Sequence, residues 1–224
     1  MEEKPAIDSL HADATAALSE LAKELPNSIV PGPEKSKLPY QAACFLAAAM
    51  WRVEELARTA CWQFEAKQHV AALTLTRASF ETSAQLWYLF IQIEKALTPG
   101  ASFEDTSVKI VRLVSGSKDC SGNANAIHII DICKQVSKDF ERADELYAGL
   151  CEYAHPNFRG TAWQFVTHNV SADCAQLGPR THDGDAKQGL TALIASLKIA
   201  TAASRRFDKR FAEFVRLCET SLEG

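Results

Sequence analysis

The sequence lacks the short motifs that identify several common classes of enzyme. It contains no glycine-rich phosphate loop, no dinucleotide-binding fingerprint and no Ser/His/Asp spacing of the kind found in hydrolases. Its seven cysteines include no Cys-x-x-Cys pair, which argues against a zinc ribbon or a thioredoxin-like redox site. We therefore predict reduced, mostly buried thiols, no bound metal and no organic cofactor.

Signals for secretion, membrane insertion and DNA binding are also missing. Acidic residues Glu2 and Glu3 stand where a signal peptide would be basic, and no apolar segment follows them. The longest uncharged run, residues 38–51, is shorter than the ~20 apolar residues of a membrane-spanning helix. A net charge of −4 gives no general basic excess for binding phosphate backbones. These observations predict a cytoplasmic protein without a membrane span.

Helical periodicity dominates what is present. Only 10 glycines and 8 prolines interrupt a chain in which alanine and leucine recur at three- and four-residue spacing. We predict an all-α fold, a helical bundle in one domain of residues 1–224, with an N-terminal helix and proline-rich linker (1–37) packed on it. The predicted helices cover residues 8–25, 40–64, 67–97, 102–114, 125–154 and 186–222. The second and third should form an antiparallel hairpin, and the fifth should break near 137–140, where Asp139 would cap its second part.

One segment departs from this pattern. Residues 157–183 have little helical signal and are predicted to form an irregular excursion or a short β-hairpin that turns at residues 169–173. Long non-helical segments in compact domains often carry function. The excursion is therefore expected to lie beside the functional site.

The third predicted helix carries a polar stripe on an otherwise apolar surface. At ~100° per residue its members share one arc, which predicts a central helix whose stripe faces either a narrow strip of solvent or an internal polar cleft. Within the stripe, Arg77 and Glu81 have the spacing of an ion pair. The stripe consists of Arg77, Glu81, Gln85, Tyr88, Gln92 and Lys95.

The stretch LYAGLCEYAHPNFRGT, residues 146–161, contains the main candidate site. Glu152 and His155 share a helical face, and the proline after His155 ends the helix there. The helix C-terminus and Glu152 both favour a protonated imidazole, so His155 is a candidate acid or base near neutral pH. Asn157 and Arg159 follow on the same turn, and Arg159 is a candidate phosphate ligand.

Two other interpretations of this stretch remain open. A histidine at a helix end is often a simple cap, and a His-Pro-Asn turn can be purely architectural. Glu-x-x-His is also half of the carboxylate motif of di-iron helical bundles, although no second copy occurs in this sequence.

The last predicted helix is amphipathic and basic. Its phenylalanines share one face, while the cations spread over the other, so RNA or an acidic partner would meet only the basic face. The candidate binding residues on that face are Arg205, Arg206, Lys209 and Arg210.

The segments LCEYAHPNFRGT and LTLTRASFETSAQLWYLF together resemble uncharacterised bacterial helical proteins that pair an Arg-x-x-x-Glu helix with a Tyr-x-His-Pro turn, within the HEPN-like superfamily. The resemblance implies a helical bundle, often a homodimer, and in many members a metal-independent endoribonuclease of toxin or phage-defence systems. The superfamily motif places a histidine shortly after an arginine. In this sequence His155 would correspond to that histidine. The arginine would be Arg77 or Arg159, brought close to His155 by the fold.

These observations lead to one main hypothesis and two alternatives. The main hypothesis is a dimeric bacterial module for protein interaction or ligand binding in stress or defence. The alternatives are a ribonuclease that uses His155 with an arginine, and a helical metal-binding protein. We expect a cleft at one end of the bundle to collect Glu152, His155, Asn157 and Arg159. Arg77 and Glu81 would belong to it if the polar stripe and the His-Pro turn meet in space, which the sequence leaves open.

Overall fold

A computed structural model describes residues 6–117, 124–169 and 173–222. The all-α prediction is confirmed, because these residues form eight helices and only two small two-stranded sheets. The elements in chain order are α1 (Ile7–Lys23), α2 (Leu38–Glu65), α3 (His69–Leu97), α4 (Phe103–Ser115), β1 (Gly116–Ser117), β2 (Ala124–Asn125), α5 (Ile129–Val136), α6 (Ala143–Ala154), α7 (Ala162–Phe165), β3 (Val166–Asn169), β4 (Cys174–Leu177) and α8 (Asp183–Thr220).

Helix α3 is the centre of the bundle. It packs most extensively against α8 and α2, and α4, α5 and α6 cover its remaining side. Small side chains let α3 and α8 approach closely: the hydroxyl of Ser196 lies 2.8 Å from that of Ser79 and 2.9 Å from that of Ser83. These hydrogen bonds satisfy buried hydroxyls that would otherwise cost ~1 to 3 kcal/mol each.

The hairpin between α2 and α3 is confirmed, and its connection contains a left-handed residue. Lys67 has a φ of 57°, which a non-glycine residue adopts rarely, and it turns the chain within three residues. The amide of Gln68 donates to the carbonyl of Gln63 at 2.8 Å and closes the end of α2. The sequence shows no breaker here because the turn uses lysine rather than glycine or proline.

The polar stripe of α3 is exposed to solvent over only part of its length. Tyr88 and Gln92 are buried beneath α4 and α5, while Arg77, Glu81 and Gln85 are half-buried and Lys95 is exposed. The predicted break in the fifth helix occurs between α5 and α6. The proposed cap at Asp139 is wrong: α6 is preceded by Arg142 in the left-handed conformation, and Asp139 instead accepts a hydrogen bond from Trp87 Nε1 at 2.8 Å.

The N-terminal segment packs on the bundle. Helix α1 contacts α8 and α2, and the hydrophobic core runs without interruption from Leu10 in α1 to Cys218 in α8. Glu219 accepts hydrogen bonds from the amides of Lys35 and Ser36, which fixes the proline-rich linker. No helix in the described ranges is long and apolar enough to cross a membrane. The six described cysteines are free thiols, of which three are buried.

The predicted hairpin in the excursion is present. Strands β3 and β4 are antiparallel, with Val166 opposite Leu177 and Asn169 opposite Cys174. Residues 118–123 and residues 170–172, the middle of the predicted turn, lie outside the described residues. Helix α8 continues to Thr220 as one element and begins three residues earlier than predicted. Its added first turn contains two acidic residues, Asp183 and Asp185, which favour a helix N-terminus.

Candidate functional site

The His-Pro turn ends α6 and reverses the chain. His155 is the first residue after α6 and adopts an extended conformation, as Pro156 requires. Asn157 then accepts hydrogen bonds from the amides of Arg159 and Gly160, at 2.9 and 3.0 Å. Gly160 is buried, and a Cβ there would collide with the carbonyl oxygen of His155. The turn therefore needs asparagine and glycine at these two positions.

Three side chains from α6 and α7, on either side of the turn, converge on a buried carboxylate at the start of α8. Asp185, 4% exposed, accepts hydrogen bonds from Tyr153 Oη at 2.6 Å, Gln164 Nε2 at 2.8 Å and Trp163 Nε1 at 3.0 Å. We call these four residues the Asp185 cluster. Arg159 adds a weak ion pair, with Nη2 3.7 Å from the carboxylate, and lies over the ring of Tyr153.

The electrostatics of the Asp185 cluster keep the carboxylate charged and the phenol neutral. Burial would raise the pKa of Asp185, but hydrogen bonds from Tyr153, Gln164 and Trp163 outweigh it and lower the pKa below the ordinary value. Burial and the adjacent carboxylate raise the pKa of Tyr153 to about 12. Tyr153 therefore remains a hydrogen-bond donor at neutral pH, and three hydrogen bonds surround the Asp185 carboxylate.

The Arg77 and Glu81 pair makes contact with α6 rather than with solvent alone. Arg77 Nε lies 3.0 Å from Glu81 Oε1, and Tyr147 Oη donates to the same oxygen at 2.9 Å. Burial would lower the pKa of Arg77, but Tyr147 and Glu81 raise it above the ordinary value. Because Tyr147 lies two turns before His155, the pair is anchored on the helix that carries the turn.

The structure divides the predicted site residues into separate groups. Glu152 accepts a hydrogen bond from Asn157 Nδ2 at 3.0 Å, and Arg159 reaches Asp185. His155 is exposed, and no hydrogen bond or ion pair connects its imidazole with Arg77 or with any other described residue. The roles predicted for these residues remain predictions, and the structure adds Asp185 as the point on which the turn converges.

Most of the basic candidates on α8 are engaged within the chain. Arg205 forms ion pairs with Glu20 and Glu24, and Arg210 pairs with Glu94 and Glu213. Arg206 lies over the ring of Trp87, 4.9 Å from its centroid. Arg205, Arg206 and Lys209 line a groove of about 840 Å³ between α1 and α8, together with acidic residues of α1. This mixed surface gives weak support for RNA binding.

A second cavity lies at the start of α3, next to the Asp185 cluster. We call it the α3 cavity; it measures about 640 Å³ and is lined by residues 66–71, Gln164 and Phe165, and residues 179–181. Gln164 and His69 are 2% and 7% exposed, and Gln164 Oε1 and His69 Nδ1 have no hydrogen-bond partner among the described residues. Burial lowers the pKa of His69, so its imidazole is neutral at neutral pH.

The wall of the α3 cavity is held by the excursion. Arg180 Nη1 donates to the carbonyls of Val166 and Trp163, at 2.6 and 3.2 Å, and its guanidinium lies over the Trp163 ring. The His182 ring stacks on the Trp163 ring, with 4.5 Å between the two ring centroids. Arg180, on the wall of the cavity, is therefore held in place by the excursion.

Sequence reasoning missed the α3 cavity and the Asp185 cluster. Asp185 reads as an ordinary first-turn acid of a helix, and Gln164 has no motif around it. The only available signal was the density of Trp, Gln, Arg and His in the excursion, residues that are unusual in a simple surface loop. Within the described ranges, no group of three His, Cys, Asp or Glu side chains is placed to hold a metal ion.

Comparisons of this chain with protein-family models, with curated proteins and with solved structures gave no match.

Proposed function

We propose that this protein is a helical ligand-binding module and that the α3 cavity is its binding site. The observation that carries the proposal is the presence of Gln164 Oε1 and His69 Nδ1, two buried atoms without partners, on residues that line one cavity. Five such buried atoms occur in the described ranges, and these two are the ones on residues of this cavity. A buried polar atom left unpaired costs ~1 to 3 kcal/mol, which a bound ligand would recover.

The dimensions and rigidity of the cavity support the same proposal. A volume of about 640 Å³ lies within the ~300 to 1,000 Å³ typical of small-molecule sites. Gln164 is oriented through its other end, since Nε2 donates to Asp185. Arg180 is oriented by two backbone carbonyls. A ligand would therefore meet groups that are already positioned, which reduces the entropic cost of binding.

A cavity-filling substitution tests this function without knowledge of the ligand. Ala71 is exposed and lines the cavity, whereas Thr74, one turn later on α3, is exposed outside it. We expect members of a chemically mixed library of small molecules to raise the melting temperature of the wild-type protein and of Thr74→Trp, but not of Ala71→Trp. The proposal is wrong if no compound raises the melting temperature, or if the increases persist in Ala71→Trp.

A metal-independent ribonuclease is the second candidate. It is supported by the exposure of both His155 and Arg159 on one turn, where a phosphate could approach them from solvent. The test is cleavage of RNA in the presence of EDTA by the wild-type protein and by His155→Ala. Equal cleavage by both proteins would remove His155 from the mechanism, and no cleavage by either would remove the activity.

The predicted homodimer belongs to the same proposal and comes from the family resemblance. Light scattering coupled to size-exclusion chromatography tests it directly, since a monomeric mass would contradict it.

A further inference from the structure

We infer that the ligand of the α3 cavity is an organic acid whose anionic end lies at the N-terminus of α3, an inference that rests on the proposed binding function. The ligand's remaining features would be an apolar body and one hydrogen-bond donor. Four properties of the cavity lead to this class: unpaired backbone amides, an excess of positive charge, an apolar remainder and one buried acceptor.

The backbone amides at the start of α3 are available to an anion. The amides of His69, Val70 and Ala71 precede the first hydrogen bond into the helix, in which Ala72 donates to the carbonyl of Gln68. None of the three has a partner among the residues that the structure describes, and the residue before α3 provides no side-chain cap. All three residues line the α3 cavity. Free amides and the partial positive charge of a 29-residue helix favour an anion there.

The side chains around these amides have the matching charge. Lys67 and Arg180 line the cavity, and its lining among the described residues includes no aspartate or glutamate. Glu65 and Asp183 line an adjoining pocket that shares Lys67 and His69 with the cavity, so the excess of positive charge is confined to the cavity itself. This local excess of positive charge contrasts with the net charge of −4 for the whole chain. His69 is neutral and can present an N–H at Nδ1, which is buried and has no other partner. An anion therefore meets two cations and up to four N–H donors.

The rest of the lining defines the other end of the ligand. Val70, Phe165 and Pro179 provide apolar and aromatic surface, so a bare inorganic anion would leave most of the cavity unfilled. Gln164 Oε1 is an acceptor without a donor, and its amide nitrogen is held by Asp185. A ligand hydroxyl or amide N–H would satisfy it. N-acylated amino acids combine a carboxylate, an N–H donor and an apolar side chain, and they serve as probes.

The experiment compares N-acetylphenylalanine with its neutral carboxamide and with inorganic phosphate, by NMR titration of the ¹⁵N-labelled full chain. We expect the acid to bind about tenfold or more tightly than the carboxamide, which corresponds to ~1.4 kcal/mol. The largest amide shifts should occur at His69, Val70 and Ala71. Phosphate should shift the same amides at higher concentration, because it lacks the apolar body.

Two charge-removing variants provide the matched comparison. Lys67→Gln removes a cation from the cavity, while Lys134→Gln removes an exposed cation from α5. The first should weaken binding of the acid about threefold to tenfold through lost Coulomb attraction, and the second should leave it unchanged. Equal weakening by both variants would show a general charge effect and overturn the inference.

The outcomes separate this inference from the proposed function. If library compounds bind in a manner blocked by Ala71→Trp, but the acid binds no better than its carboxamide, the cavity is a binding site and the anion inference is wrong. The same conclusion follows if the acid shifts amides away from the start of α3, or does not bind at millimolar concentration. If no library compound binds either, both proposals fail.

Discussion

Replacing Asp185 tests whether the Asp185 cluster fixes the excursion to the bundle. The carboxylate accepts three hydrogen bonds of 2.6 to 3.0 Å and is 4% exposed. Hydrogen bonds to a charged acceptor contribute ~1.5 to 3 kcal/mol each, but they are not additive when they share one atom group. Tyr153 and Gln164 are each 2% exposed, so water cannot replace the lost carboxylate; Tyr153 Oη would keep only its longer hydrogen bond to Gln188 Oε1, at 3.3 Å. Trp163 is half-buried and can be hydrated.

From these contacts we expect Asp185→Ala to lower the free energy of unfolding by ~3 to 5 kcal/mol. Asp185→Asn keeps one carbonyl oxygen and should lose ~2 kcal/mol. The matched control is Asp183→Ala, because Asp183 is exposed in the same first turn of α8. That control should lose only the helix-dipole contribution, ~0.3 to 1 kcal/mol.

Urea denaturation followed by far-UV circular dichroism measures these differences, with the slope m compared between variants. If Asp185→Ala does not fold, the asparagine variant still reports the energy of the cluster. The reasoning is refuted if Asp185→Ala costs no more than Asp183→Ala, since the buried hydrogen bonds would then contribute nothing.

Four further predictions follow from the turn and its neighbours. Gly160→Ala should lower the free energy of unfolding by ~1 to 3 kcal/mol in urea denaturation, because the added Cβ would collide with the backbone carbonyl oxygen of His155. His155→Ala should change stability by less than ~0.5 kcal/mol, since the imidazole is exposed and makes no hydrogen bond with the part of the chain that the structure describes; a larger loss would reveal a structural role. Tyr147→Phe should lose ~1 kcal/mol with the hydrogen bond to Glu81, and a double-mutant cycle with Glu81→Gln checks the coupling. The pKa of Asp185 is lowered in the folded state, so the charged carboxylate stabilises the fold at pH values above the ordinary pKa of 3.8, and this stabilisation is lost as the pH falls below 3.8. The free energies of unfolding of the wild type and of Asp185→Asn should therefore converge at low pH. A difference that stays constant with pH would contradict the lowered pKa.

The sequence predicts the helices well because their signal is local. Three- and four-residue apolar spacing identifies α2, α3 and α8 to within a few residues, and the weak helical signal of 157–183 identifies the excursion. The turn at Lys67 shows the limit of such reasoning, since its left-handed conformation depends on the packing of α2 against α3 and not on residue type.

The site is harder to predict because its parts are distant in sequence. Glu152, His155, Asn157 and Arg159 are conspicuous as a motif, yet the folded chain uses Asn157 for the turn itself and leaves His155 exposed. The α3 cavity combines residues 66–71 with Gln164, Phe165 and residues 179–181, and neither set belongs to a motif. Hydrogen bonds from Trp163 and Gln164 to Asp185 hold α7 at the start of α8, and the packing of α8 against α3 brings the two segments together.

The stacking of Trp163 on His182 gives the α3 cavity an intrinsic optical signal. Trp163 lies under the guanidinium of Arg180, a residue of the cavity wall, while its indole N–H is held by Asp185. The other tryptophans make contacts elsewhere: Trp51 with Pro26, Trp62 with Arg58, and Trp87 with Phe90 and Phe140. Occupancy that displaces Arg180 therefore alters the fluorescence of one indole out of four, so that the unmodified protein reports its own ligand.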